Sequence, residues 1–154
     1  PLCHLVLGVG LSLAPVGAYL AVTGMFDFAP VVLGLAVLCW VSGFDIIYAL
    51  QDDQFDKENR LYSIPSSYGR IMALRISEVL HLLCGLLIVL FTYLINYNYL
   101  TIVGTVVFCG LLIYQHRIVK PNDLSKVNMA FATTNGLASI IFAAFIIAGQ
   151  ALKM

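Results

Sequence analysis

The sequence predicts an all-α fold, a polytopic transmembrane bundle of about five helices, and three observations carry that prediction. Of its 154 residues, 61% are hydrophobic and 10% charged, against about 25% charged in an ordinary soluble domain. The apolar residues gather into five runs, at 2–23, 30–51, 71–94, 99–118 and 127–149, each close to the roughly 20 residues that a spanning helix needs. All the Lys and Arg residues except Lys153 sit in or beside the breaks after the second and fourth runs. The positive-inside rule then puts those two loops in the cytosol. With a formal net charge of zero, nothing suggests nucleic acid as a partner. Four cysteines scattered through apolar runs without C-x-x-C spacing argue against a zinc site or a disulfide framework.

The first run carries Gly8, Gly10, Pro15 and Gly17, which a membrane helix tolerates and which permit close packing or a kink. His4 at its start reads as an interfacial residue. The second run leads straight into an acidic cluster. The loop after it, 53–70, holds Lys57, Arg60 and Arg70, and Ser63-Ile-Pro65-Ser-Ser-Tyr-Gly69 is expected to break any helix through it. The third run contains Arg75, Glu78 and His81 at helical spacing on one side. Either these pair among themselves to order the bundle, or Glu78 and His81 line a polar chamber. A tight Asn96-Tyr-Asn98 turn leads to the fourth run, and Tyr93, Tyr97 and Tyr99 beside it fit an interfacial aromatic belt. In the loop before the fifth run, Asp123 or Ser125 is the expected N-cap. Asn128 and Asn135 are expected to share a face, for interhelical hydrogen bonds or for substrate.

The segment from Phe44 to Tyr68 holds five of the eight acidic residues: Asp45, Asp52, Asp53, Asp56 and Glu58. Carboxylates behind a hydrophobic run are costly at a membrane boundary unless something cationic meets them. At 100° per residue, Asp45, Tyr48, Asp52 and Asp56 fall within an arc of about 80°. Asp52 and Asp56, spaced i, i+4, would have Cβ atoms roughly 5 to 6 Å apart. That suits Mg²⁺, which takes one or two carboxylates, some water and the oxygens of a substrate phosphate. A solvated acidic helix end fits the same spacing, so D-x-x-x-D alone leaves both readings open. Lys57 and Arg70 can pair with these aspartates, anchor the loop at the interface, or grip a diphosphate.

The longer string is more specific. Asp45-Ile-Ile-Tyr48, Asp52-Asp-Gln-Phe-Asp56 and Ser63-Ile-Pro65 together resemble the second aspartate-rich motif of the UbiA family of membrane-embedded aromatic prenyltransferases. The LAPVGAYLAVTG run from Leu13, the run from Trp40 to Asp45 and KPNDLSKVNMAF from Lys120 extend the likeness over most of the chain. It is most similar to the 4-hydroxybenzoate polyprenyltransferase-like branch, some members of which serve menaquinone pathways. One position departs from the pattern: the family usually has glycine four residues after the last motif aspartate, where this chain has Arg60.

The resemblance implies transfer of a prenyl group from a polyprenyl diphosphate to an aromatic acid acceptor such as 4-hydroxybenzoate, on the way to ubiquinone or menaquinone. Within it, Asp52 and Asp56 are the metal ligands for Mg²⁺, Tyr48 faces the allylic cation, and Asp45 orients Tyr48 or a metal-bound water. By their charge and position, and not from the family pattern, Lys57 and Arg70 are the candidates to contact diphosphate, and Glu78, His81 and Asn128 the candidates to line the cavity. The chain begins with Pro1 and shows no basic n-region or cleavage site. Residues 1–154 are therefore expected to be the C-terminal part of a nine-helix fold, inactive alone, with the first motif lying outside it. The expected location is the lipid bilayer of a bacterial inner membrane, with the motif loop toward the cytosol. A non-catalytic bundle fragment is one alternative. An ion or proton transporter is another, but its carboxylates belong nearer the midplane than this cluster sits.

Overall fold

The computed structural model describes residues 1–152, so Lys153 lies outside the described residues. It consists of helices α1 (Cys3–Thr23), α2 (Phe28–Tyr48), α3 (Asp53–Glu58), α4 (Ile64–Leu94), α5 (Tyr99–Ile118) and α6 (Asn135–Ala151). A 3₁₀ turn, Ala49–Asp52, joins α2 to α3, and a π-helical segment, Met129–Thr134, precedes α6. Five helical stretches are long and apolar enough to cross a membrane: Cys3–Thr23, Phe28–Glu58, Ile64–Leu94, Tyr99–Ile118 and Met129–Ala151. Among the described residues there is no strand, only an isolated bridge between Lys120 and Asp123.

Local chemistry sets the helix ends. Gly24, at φ 68°, closes α1 in the left-handed conformation that glycine adopts without a Cβ clash. Asp27 caps α2 by accepting the Ala29 amide at 3.1 Å. Asn98 and Thr101 form a reciprocal capping box that starts α5. Asp123 does not cap the last helix as expected. Its carboxylate accepts the Ser125 amide at 3.0 Å, and the bonds from Ser125 hold its carboxyl below the usual range. The helix begins farther on, through the π segment.

The segment 53–70 also differs from expectation, because α3 occupies its first part and α4 begins at Ile64. Pro65 lies in the first turn of α4, where its missing N–H costs nothing, so it starts a helix and does not break one. The break falls at Gly69, with φ 80° and ψ 163°.

The helix α2 is the centre of the bundle and packs against both α1 and α4. Small residues allow this: a Cβ on Gly8 would lie 2.8 Å from the Leu38 carbonyl oxygen, and one on Gly34 would lie 2.6 Å from that of Ser12. One apolar cluster, including Ile46, Ile47, Leu50, Ile64 and Leu74, fills the motif end of the bundle. A second, built on Ala36, Cys84, Ile88, Phe108 and Leu112, fills the middle. Burial of these side chains fixes where α2 ends, and hence where the aspartates emerge.

Candidate functional site

The four motif residues do not lie on one continuous α-helix. The wheel drawn at 100° per residue fails across Ala49–Asp52, because a 3₁₀ turn has about three residues per turn. Asp45, still within α2, faces α1: its Oδ2 lies 2.7 Å from His4 Nδ1. The Ile64 amide donates to His4 Nε2 at 3.3 Å, so the ring proton sits on Nδ1 and is donated to Asp45. The Ser42 hydroxyl donates to the His4 carbonyl oxygen at 3.1 Å. His4 is thus no interfacial residue; buried, it ties α1 to Asp45 and to the first turn of α4. Its partners lie 41 and 60 residues away, and nothing local signals them.

Asp53 is buried where Asp52 is exposed. Arg70 clamps its carboxylate with two bonds, Nε to Oδ2 and Nη2 to Oδ1, each 2.9 Å. A third Arg70 nitrogen reaches the Pro121 carbonyl oxygen at 3.4 Å. Lys57 stands 3.8 Å from Asp53 and is half exposed. Arg70 is therefore committed to the bundle, whereas Lys57 is free to swing outward. Among the described residues, Asp52 and Asp56 have no hydrogen bond or ion pair on their carboxylates. No three His, Cys, Asp or Glu side chains among the described residues converge on one metal position. Two free oxygen donors without a third suit Mg²⁺, which keeps several waters and completes its shell with substrate phosphate.

The loop beyond Asp56 explains the position where glycine is usual. The Leu61 amide bonds the Asp56 carbonyl at 2.8 Å and the Arg60 amide bonds that of Lys57 at 3.4 Å, the two bonds of a Schellman ending. Arg60 occupies its left-handed position at φ 57°. An L-residue there costs roughly 1 to 2 kcal/mol, partly offset in glycine by its greater unfolded-state freedom. Arg60→Gly should raise stability by about 1 kcal/mol in a denaturation experiment; an unchanged or lowered midpoint would refute the strain argument.

Tyr48 stacks on Phe131 with ring centroids 4.2 Å apart. Phe44 meets Phe131 edge-on at 5.5 Å, and Trp40 meets Phe44 at 5.5 Å. These residues make an aromatic row running down α2 from the aspartates. The row borders a cavity of about 410 Å³ lined also by Leu11, Pro15 and Asn135. Trp40 donates its indole N–H to Asn135 Oδ1 at 3.2 Å, and Gln115 donates to the same oxygen. The i, i+4 spacing of Trp40, Phe44 and Tyr48 was a readable signal for the row. Phe131 was not, because its place depends on the π segment.

That segment also separates the two asparagines expected on one face. Asn135 is buried, whereas Asn128 is exposed and accepts from Gln51 Nε2 at 3.2 Å. Glu78 and His81 line a separate cavity of about 550 Å³ between α4 and α5, bounded also by His116 and Arg117 but by none of the aspartates. Neither an Arg75–Glu78 pair nor a Glu78–His81 hydrogen bond forms among the described residues.

Comparison with known proteins gives concordant matches. The chain is 24% identical over 139 residues to the 4-hydroxybenzoate octaprenyltransferase of Francisella tularensis subsp. novicida, covering 90% of this chain and 49% of that protein. It is 26% identical over 141 residues to the protein of the same name from Nitrosospira multiformis, covering 92% of this chain and 48% of that protein. The chain thus spans about half the length of the curated relatives it matches. No solved structure matches significantly. The model of the UbiA prenyltransferase family matches residues 1–148, nearly the whole chain, and the chain belongs to that family.

Proposed function

We propose that this chain forms, within the full-length protein, the second half of the active site of a Mg²⁺-dependent aromatic prenyltransferase. Its substrates are a polyprenyl diphosphate and an aromatic acid, 4-hydroxybenzoate being the first to test, and its product leads to ubiquinone or menaquinone. The membrane is a bacterial inner membrane and the motif end faces the cytosol, where soluble diphosphates are found. The observation that carries this reading is the pair of unpaired carboxylates, Asp52 and Asp56, standing above an aromatic row that borders an apolar cavity.

In the reaction the allylic carbon–oxygen bond breaks with its electron pair leaving on diphosphate, a ring carbon of the acceptor bonds the allylic carbon, and the ring proton passes to the departing diphosphate or to water. Mg²⁺, held by Asp52 and Asp56, would supply positive charge against the leaving diphosphate. Lys57, half exposed and only loosely paired, can swing to the same group. Tyr48 and the rings below it offer π faces to a developing allylic cation, and an apolar wall keeps water from it. Asp45 acts through His4, which fixes the end of α2 against α1 and α4. Glu78 and His81 have no part in this step, since they line a cavity that none of the aspartates borders, while Asn128 accepts from Gln51 beside Asp52.

The test uses membranes containing the full-length protein, radiolabelled allylic diphosphate and a set of aromatic acids, with and without EDTA. Prenylated acid should form with Mg²⁺ and disappear on chelation. Undiminished transfer in EDTA, or none with any aromatic acid, would overturn the reading.

A further inference from the structure

The cavity between α4 and α5 is a second site, distinct from the aspartate motif. Its wall changes character along its length. Glu78, His81, His116 and Arg117 stand at one end, and Leu82, Leu86 and Val89 continue from Glu78 along one stripe of α4. From Glu78 to Val89 the stripe runs about 16 Å at 1.5 Å per residue, close to one leaflet of a hydrocarbon core of roughly 30 Å.

The polar end is fixed in place. His81 donates Nε2–H to the Trp40 carbonyl at 3.2 Å, which leaves its Nδ1 to accept from His116 Nε2–H at 2.9 Å. A Cβ on Gly43 would lie 2.4 Å from the His81 ring, so α2 backs the pair directly. In this chain of bonds both imidazoles are neutral rings, and among the described residues His116 Nδ1 is left buried without a hydrogen-bond partner. The charges left at the cavity end are Glu78 and Arg117, and among the described residues neither has an ion pair. Both are exposed, so two unpaired charges of opposite sign stand open at the end of an apolar shaft, where a ligand carrying both complementary charges can meet them.

We propose that this cavity binds one phospholipid with a zwitterionic phosphoethanolamine head. Its phosphate pairs with Arg117, its ammonium with Glu78, and one acyl chain lies along Leu82, Leu86 and Val89. A polyanionic head, such as a prenyl diphosphate, fits poorly because Glu78 repels it. An anionic phospholipid lacking the ammonium leaves Glu78 unmatched. A choline head keeps the charge but loses the N–H donors that a carboxylate needs.

The test is lipid retention by the full-length protein, purified from nanodiscs of equimolar palmitoyl-oleoyl phosphatidylethanolamine, phosphatidylcholine and phosphatidylglycerol and read by native mass spectrometry. Phosphatidylethanolamine should be retained at least about fivefold over either competitor. Glu78→Gln should abolish that preference while some lipid is still held, Arg117→Gln should lower retention of all three, and Leu86→Trp, which fills the shaft, should remove bound lipid. Thermal melts confirm that each variant is folded, and the wild-type competition stands even if one variant is not. Equal retention of the three lipids, preference for phosphatidylglycerol, or no retained lipid because another segment covers the cavity would each overturn the proposal.

Discussion

Asp52→Asn and Asp56→Asn in the full-length protein should each lower prenyl transfer on the order of a hundredfold or more, while membrane insertion and thermal stability stay close to wild type. Losing one preorganised group that meets transition-state charge typically has that effect on rate. Stability should be spared because neither carboxylate bonds anything among the described residues, so an isosteric amide leaves no partner stranded. Raising Mg²⁺ should restore part of the rate, since a weakened ion site can still be filled by mass action. Glu58→Gln is the control. It lies in the same short helix as Asp56, exposed and with its side chain bonded only to Gln54 at 3.1 Å, and its rate should fall little. Equal loss at all three positions would mean a nonspecific acidic patch. Near-normal transfer by both Asp52→Asn and Asp56→Asn would end the metal assignment.

Hydrophobic run length made the five spans legible, because the bilayer imposes it on any chain that crosses. The start of the third span at Pro65 could also have been read, since proline in a first turn favours a helix there. What stayed hidden depends on tertiary contacts. The 3₁₀ turn at Ala49–Asp52 and the π segment at Met129–Thr134 shift the phase of everything after them, and no periodicity in either stretch announces the change. They interrupt the single wheel drawn through the aspartates and account for the separation of Asn128 from Asn135. His4 and Asp45, like Gln115 and Asn135, are polar residues bonded across helices. Sequence shows that such groups need partners but not which they find.

Asp53 shows this most clearly, because a wheel only sets it about 100° around from Asp52, whereas the structure buries it against Arg70. Its carboxylate side chain is 8% exposed and the Arg70 side chain 38%, and this asymmetry predicts unequal costs for removing either partner. Arg70→Gln strands a buried carboxylate with only Lys57 nearby, at 3.8 Å, and should destabilise by about 3 kcal/mol, the low end for breaking a buried pair. Asp53→Asn strands an arginine that water can partly reach, so the cost should be smaller, about 1 to 2 kcal/mol after allowing for solvent screening. Transfer per folded molecule should change much less than in Asp52→Asn, because the damage is to the anchoring of α3 on α4. The double variant Asp53→Leu/Arg70→Met removes both charges together and should recover most of the stability lost in Arg70→Gln. Denaturation midpoints in detergent, set beside rates corrected for folded protein, separate the outcomes. If Asp53→Asn abolishes turnover at unchanged stability, Asp53 belongs to the reaction. If Asp53→Asn costs as much stability as Arg70→Gln, the asymmetry argument fails.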